Sequence, residues 1–291
     1  MRTVVLYSLF PLIILISCTS RTSELQQTSD TQKKEITSPK IFAPDYMKFF
    51  DVQWADSSLW DDGLAEVNTI KAERVIYGKT RQYTMTMIVV KEVFNREYNV
   101  KTDTYRRKDN FTVMKMNIAQ TIMTDIYPYH YLTSSFFLRD NPVLCHKTTQ
   151  TSQEWCGNTM KRFDTAGDSI NYTYDTYWDG EGKGTSTVPF ALLEHQLFYT
   201  LRALRFSDAL SFTFPMIPSI ITNKARLSPI INVRLAVQEE SALWKVTLVS
   251  EDGAFKSSYS FSKQYPHTLV SYSKNDGSRF NDVSTRRYAY W

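Results

Sequence analysis

Few side chains in this sequence are suited to chemistry: four histidines, three cysteines and scattered pairs of carboxylates. His130, His146, His195 and His267 stand outside any His-Glu-x-x-His pattern, which would set two imidazoles one helical turn apart for zinc. Glu194-His195 has no second histidine a turn away, so each histidine reads as a structural or surface residue. Gly180-Glu181-Gly182-Lys183-Gly184-Thr185 lacks the four-residue spacer of a phosphate loop and follows no apolar parallel strand, so it reads as a flexible connection. No Gly-x-Ser-x-Gly marks a serine nucleophile. Asp61-Asp62 and Asp175-Asp179 lack a twelve-residue calcium loop and read as solvated pairs. Cys145, His146 and Cys156 have no fourth ligand at a familiar spacing for zinc. No catalytic residue, metal or cofactor is therefore expected. In an oxidising compartment Cys145 and Cys156 could form a disulfide contributing roughly 2.5–3 kcal/mol; two buried thiols that never meet are the alternative.

A stripe of thioethers and rings is the more suggestive feature. Tyr83, Met85 and Met87 share one face of a strand-like run, and Met114 and Met116 share another. Flexible Met side chains suit an adaptable apolar pocket, with plain core as the competing reading. Leu197 and Leu201 would face them from a helix expected over residues 189–206, where Phe190, Leu193, Leu197, Leu201 and Leu204 recur at helical spacing. Pro189 suits its first turn and Thr187 its cap, leaving Glu194, His195 and Arg202 to face elsewhere. Tyr127, Pro128, Tyr129, His130 and Tyr131 form either a partner surface or the start of a twisted strand.

The elements that must position these groups are mostly strands. From residue 66 onward the apolar alternation has period two, in runs near 67–77, 83–89, 113–122, 129–138, 144–149 and 170–178. Further runs lie near 211–214, 230–237, 243–250, 255–261, 268–273 and 284–291, with Asp252-Gly253 and Asn275-Asp276-Gly277 as tight turns. With 42% hydrophobic and 14% aromatic residues but only 9 glycines, the chain can fill a core with half-buried strands. A net charge of +4 spread without a basic block gives no footprint for nucleic acid. Charges on the outward strand faces disfavour a membrane barrel, where each would cost about 2–4 kcal/mol at the midplane.

Arg2, an apolar run to Ile16 and Leu15-Ile16-Ser17-Cys18 compose a secretory signal that resembles the bacterial lipobox, which implies acylation of Cys18. Acyl chains contribute about 0.8 kcal/mol per buried methylene, enough in combination for lasting anchorage. Residues 19–40, rich in Ser, Thr, Gln and Lys, read as a flexible tether. Uncharged Thr19 and Ser20 after the cysteine favour the outer membrane, and the absence of an acidic run there favours the periplasmic face.

Trp60-Asp61-Asp62-Gly63-Leu64-Ala65-Glu66-Val67, Tyr77-Gly78, Ile126-Tyr127-Pro128-Tyr129 and Ser152-Gln153-Glu154-Trp155-Cys156-Gly157 resemble Bacteroidota lipoproteins that sometimes carry a "septum formation inhibitor" label. Leu201-Arg202-Ala203-Leu204 and Pro266-His267-Thr268-Leu269-Val270 resemble the domain-of-unknown-function class DUF3108. The resemblance implies an envelope β-domain shaped like the half-open barrels that carry lipoproteins through the periplasm, and it brings no catalytic residues. No residue set of the nucleotide pyrophosphatases, whose name the label borrows, is present.

The expected protein is thus a lipoprotein with a signal peptide over 1–17, a tether over 18–44 and one β-rich domain over 45–291. Its expected fold is mainly β, an antiparallel curved sheet or half-open β-barrel with one packed amphipathic helix. A non-enzymatic envelope module is expected, partnered by the membrane through its N-terminal lipid and by a hydrophobic ligand or an envelope protein. The alternatives are an envelope hydrolase with a scattered site and a purely structural lipoprotein.

Overall fold

The computed structural model describes residues 42–291. The expected signal peptide, the expected lipidation at Cys18 and nearly all of the expected tether lie outside the described residues. At the start of the described chain, Phe42 packs edge-on against Phe190, with ring centroids 5.0 Å apart.

Sixteen strands form one sheet. The first eight are β1 (Ala65–Ile76), β2 (Lys79–Asn95), β3 (Val100–Lys101), β4 (Asn110–Met123), β5 (Pro128–Leu138), β6 (Asn141–Glu154), β7 (Gly157–Ala166) and β8 (Ser169–Thr176). The others are β9 (Lys183–Pro189), β10 (Leu192–Leu193), β11 (Ser211–Ile217), β12 (Ile231–Glu239), β13 (Leu243–Ser250), β14 (Lys256–Ser262), β15 (Leu269–Lys274) and β16 (Arg279–Tyr288). The order is β10 to β16, then β1, β2 and β4 to β9, with β3 paired to β2. Every pairing is antiparallel except β10 with β11. The architecture is the expected mainly β, curved, antiparallel sheet.

Its two edges nearly meet. β9 is one edge and β10 the other, yet only Phe190 and Ala191 separate them in the chain. Three virtual Cα bonds span at most about 11 Å, so the sheet curls into a half-open barrel whose edges do not pair.

Antiparallel alternation sends every second connection to the same end. Tyr77-Gly78, residues 124–127, Trp155-Cys156, residues 177–182 and 275–278, and the long loop 218–230 share one end, which we call the mouth. At the opposite end, the floor, 3-10 turns at Asp45–Phe49, Trp54–Asp56 and Ser58–Asp61 bury Phe50, Trp54 and Trp60.

The expected helix over 189–206 is shorter and differently placed. Pro189 and Thr187 belong to β9, so neither starts nor caps a helix. Helical backbone covers a 3-10 turn at Glu194–Gln196, α1 at Leu197–Thr200 and a 3-10 turn at Leu201–Ala203. All residues from 190 to 204 are buried, so the segment is a plug inside the half-barrel, not an amphipathic lid. Tyr199, on the flank expected to be polar, stacks on Phe137 at 4.2 Å and meets Trp54 edge-on at 5.2 Å. The leucine spacing marks a helix correctly but cannot show that its other side is also covered. The glycine-rich connection is likewise not a loop throughout: Lys183 onward is β9. Gly184 lies opposite Tyr174 there, and a Cβ would come within 2.8 Å of the phenol oxygen.

The cysteines stay apart. Cys145 lies near the floor end of β6 and Cys156 in the turn beyond its mouth end. The extended backbone between them spans about 25–30 Å, far beyond the 4.4–6.8 Å a disulfide needs. Both are free thiols, Cys145 buried and Cys156 exposed. Burial pushes the Cys145 thiol up to about 11.

Three of the stretches that carried the family resemblance converge at the floor. Arg202, with a fully buried side chain, sends Nη1 and Nη2 to the two oxygens of Glu66 at 2.9 and 2.8 Å. Its Nε donates to the Pro266 carbonyl at 3.0 Å, and the guanidinium lies over the rings of Trp54 and Trp60 at 5.1 and 5.7 Å. Asn68 Nδ2 donates to Glu66 at 3.1 Å, and Thr285 Oγ1 donates to Asn68 Oδ1 at 2.6 Å. The Arg202 charge offsets the cost of burial and holds the Glu66 carboxyl below its ordinary value. Such a pair is expensive to half-remove. Glu66→Ala is expected to cost about 3–5 kcal/mol in denaturant unfolding, and the double change Glu66→Met with Arg202→Met less than either single change. A loss under about 1 kcal/mol for Glu66→Ala would show that the fork does not hold the floor. Alkylation with mass spectrometry should find two free thiols, with Cys156 labelled in the native state and Cys145 only after unfolding. Labelling of both at equal rates would contradict the burial.

Candidate functional site

The mouth half of the interior breaks the rule that inward strand positions are apolar. On β4 to β7, Ile118, Thr133, Gln150 and Lys161 are cross-strand neighbours in one row. Gln120, Tyr131, Ser152 and Thr159 form the next row toward the mouth. All eight are buried. Lys161 shares its inward parity with Phe163, and Thr133 shares its own with Tyr131 and Phe137. The backbone alternation therefore forces these polar side chains inside.

Over this polar wall stands the mouth end of the plug. His195 is fully buried, and neither of its ring nitrogens has a hydrogen-bond partner. Gln120 Oε1, Thr133 Oγ1 and Gln150 Oε1 are also buried and unpartnered. Such clustering is unusual, because buried polar atoms ordinarily find partners. Burial, with a smaller push from nearby Lys161, takes His195 down to about 3.

Its neighbour Glu194 is the reverse case, saturated with partners. The carboxylate accepts from the Ser219 N–H at 2.7 Å and the Tyr272 hydroxyl at 3.1 Å, with Lys274 Nζ 3.0 Å away. These contacts tie β15, loop 218–230 and the plug together. Lys161 clamps the same loop from the other side, donating to the Ile220 carbonyl at 2.7 Å and to the Thr222 carbonyl and hydroxyl at 3.0 and 2.9 Å. Burial lowers Lys161 to about 7.

Beneath the loop lies a cavity of about 80 Å³, reached by Gln120, Glu194, His195, Phe198, Tyr83 and Met85 among others. It is large enough for several water molecules or a small polar group. Of the residues expected to form an apolar pocket, Tyr83 and Met85 line this cavity. Met87, Met114, Met116, Leu197 and Leu201 are instead packed in the main core, because the plug fills the concavity of the sheet. Thr133, Gln150 and Lys161 escaped the sequence reading. The signal was their parity with inward aromatic residues, masked by their polarity.

The other histidines are tied elsewhere: His130 to Thr121 at 3.1 Å, His146 to Asn99 at 2.8 Å and His267 to the Ser262 carbonyl at 3.0 Å. Among the described residues no histidine is hydrogen-bonded to a carboxylate. The Tyr127 to Tyr131 stretch is a strand start. Tyr129 and Tyr131 turn inward, while Tyr127 stacks on the exposed Trp155 at 5.3 Å. Tyr77, Ile126, Trp155 and Tyr177 stand exposed on the hairpin tips of the mouth.

His195 makes a pH prediction with a definite sign. Between about 3 and its ordinary 6.5 the unfolded chain binds a proton that the folded chain refuses, so stability rises with pH across that window. The stability difference between wild type and His195→Gln should therefore shift toward the variant as pH falls from 7 to about 4. Denaturant curves whose difference stays constant over that range would contradict a neutral, enclosed imidazole.

No family model matches the chain, and no curated protein matches it. Among solved structures it is similar to a beta-barrel-like protein of the domain of unknown function DUF1849 from Brucella abortus, at 8% identity and a TM-score of 0.47. The match covers 78% of this chain and 98% of that one.

Proposed function

We propose that this protein is a non-enzymatic binding module, held to an envelope membrane through a lipid on Cys18, that admits a small polar-headed ligand through the mouth of its half-barrel. The observation that carries the reading is the set of buried, unpartnered polar atoms on Gln120 and His195, which line a cavity, and on Thr133 and Gln150 of the same inward wall. A core built for stability alone would place apolar side chains at these inward positions, or pair the polar ones as Glu66 and Arg202 are paired at the floor. The apolar share of the lining, Met85, Phe198 and Phe280, suits a ligand with a non-polar part. The exposed rings at the hairpin tips favour delivery of that ligand by an envelope partner that covers the mouth.

A binding role makes the polar wall a burden on stability. His195→Leu combined with Gln150→Leu should raise unfolding stability by about 1–3 kcal/mol while abolishing retention of ligand. Native mass spectrometry of the full chain isolated from its own cells should show a bound small molecule in wild type and none in the variant. A destabilised variant, with no bound mass in wild type, would identify the wall as a water-filled structural network and overturn the reading.

A further inference from the structure

A second cavity opens on the solvent side of the loop that crosses the mouth, with a volume of about 340 Å³. Its wall contains four cationic side chains, Arg74, Lys161, Lys224 and Arg226, and no carboxylate. Neutral partners hold three of them in place. Arg74 Nη2 donates to the Ile221 carbonyl at 2.7 Å and its guanidinium lies over the Tyr131 ring at 5.6 Å. Lys161 is bound to carbonyls and a hydroxyl of the loop, and Lys224 Nζ sits 3.4 Å from the centre of the Trp178 ring. Among the described residues none of the four forms an ion pair with a carboxylate. Glu181, which accepts from the Ala225 N–H at 2.5 Å, is not part of the wall and acts on Lys161 only through its charge, without an ion pair.

The cations around this concave space repel one another, and burial brings the deeply set Lys161 down to about 7, so a counter-charge in the space is favoured. Cations elsewhere avoid the problem by pairing: Lys79 and Arg81 both reach Asp125, and Lys263 reaches Glu239. The remaining wall combines apolar surface from Ile76 and Leu227 with the hydroxyls of Tyr129 and Ser228. A concave space with unpaired cations, hydroxyl donors and an apolar flank matches an oxyanion on an apolar stem.

We infer that this outer cavity is a binding site for a phosphate-type oxyanion, held by Arg74, Lys224 and Arg226, with Lys161, whose three donors are taken by the loop, adding its charge from behind. The inference rests on the binding-module reading and names the charge class of ligand at its mouth. The phosphate can belong to a lipid headgroup or to a free soluble anion. Either one supplies the negative charge that the wall lacks.

Calorimetric titration of the full chain with inorganic phosphate, with dihexanoyl phosphatidic acid and with neutral dihexanoylglycerol tests it. Binding of phosphatidic acid much tighter than of inorganic phosphate assigns the site to a lipid headgroup; equal affinities assign it to a soluble oxyanion. In both cases Lys224→Ala with Arg226→Ala, two exposed loop positions that leave the core intact, should weaken binding by about tenfold or more. Lys161→Met should weaken it as well, and its fold is checked by thermal melting. Binding should also fall as ionic strength rises. Failure of both anions to bind, or a double variant that binds as tightly as wild type, overturns the inference. Dihexanoylglycerol bound as tightly as phosphatidic acid, and insensitive to the double variant, overturns the anion site while leaving the binding module standing.

Discussion

Everything in this fold is hung on the buried fork between Glu66 and Arg202. A sheet this long has no intrinsic reason to stop curling at one diameter, and a ten-residue helical segment has little stability of its own. The fork fixes both. It joins the first inward residue of β1 to the last turn of the plug, and through Pro266 it also reaches the turn between β14 and β15. Trp54 and Trp60 close over the guanidinium and keep water from it. A bidentate pair in a dry setting tolerates little displacement, so the plug is pinned in rotation as well as height.

With its floor end pinned, the plug presents Glu194 and His195 at the mouth. The two neighbours then live in opposite surroundings. Glu194 meets a tyrosine, a lysine and a backbone amide, while His195 shares a cavity with Gln120, feels the charge of Lys161 and meets nothing that bonds to it. The contrast sets the paired fork of Glu66 and Arg202 at the floor against the unpartnered polar atoms of Gln120, Thr133, Gln150 and His195 nearer the mouth.

The strands were legible because period-two alternation is a direct print of the pleat. Met85 and Met87, or Met114 and Met116, cannot be read otherwise. The plug was legible as a helix from its leucines but not as a buried one, since burial of Tyr199 and Thr200 depends on strands far away in sequence. β7 was missed because Lys161, Arg162 and Asp164 hide the alternation of Thr159 and Phe163. The polar wall was missed for the same reason. A lysine at an inward position reads as outward until its neighbours' parity is counted. The separation of Cys145 from Cys156 depends on one strand running uninterrupted between them, which the shorter run read near 144–149 did not reveal.

The unpaired seam between β9 and β10 gives the molecule the mechanics of a split ring. A fully closed barrel can widen only by breaking a ladder of backbone hydrogen bonds along some strand pair. Here the circumference already has a gap, so a small increase in girth is taken up by bending of the sheet, with every existing ladder intact. The two-residue tether at Phe190 and Ala191 sets a stop at the corner it joins, because Pro189 and Leu192 cannot part beyond about 11 Å. Elastic compliance and a hard limit thus come from the same short piece of chain.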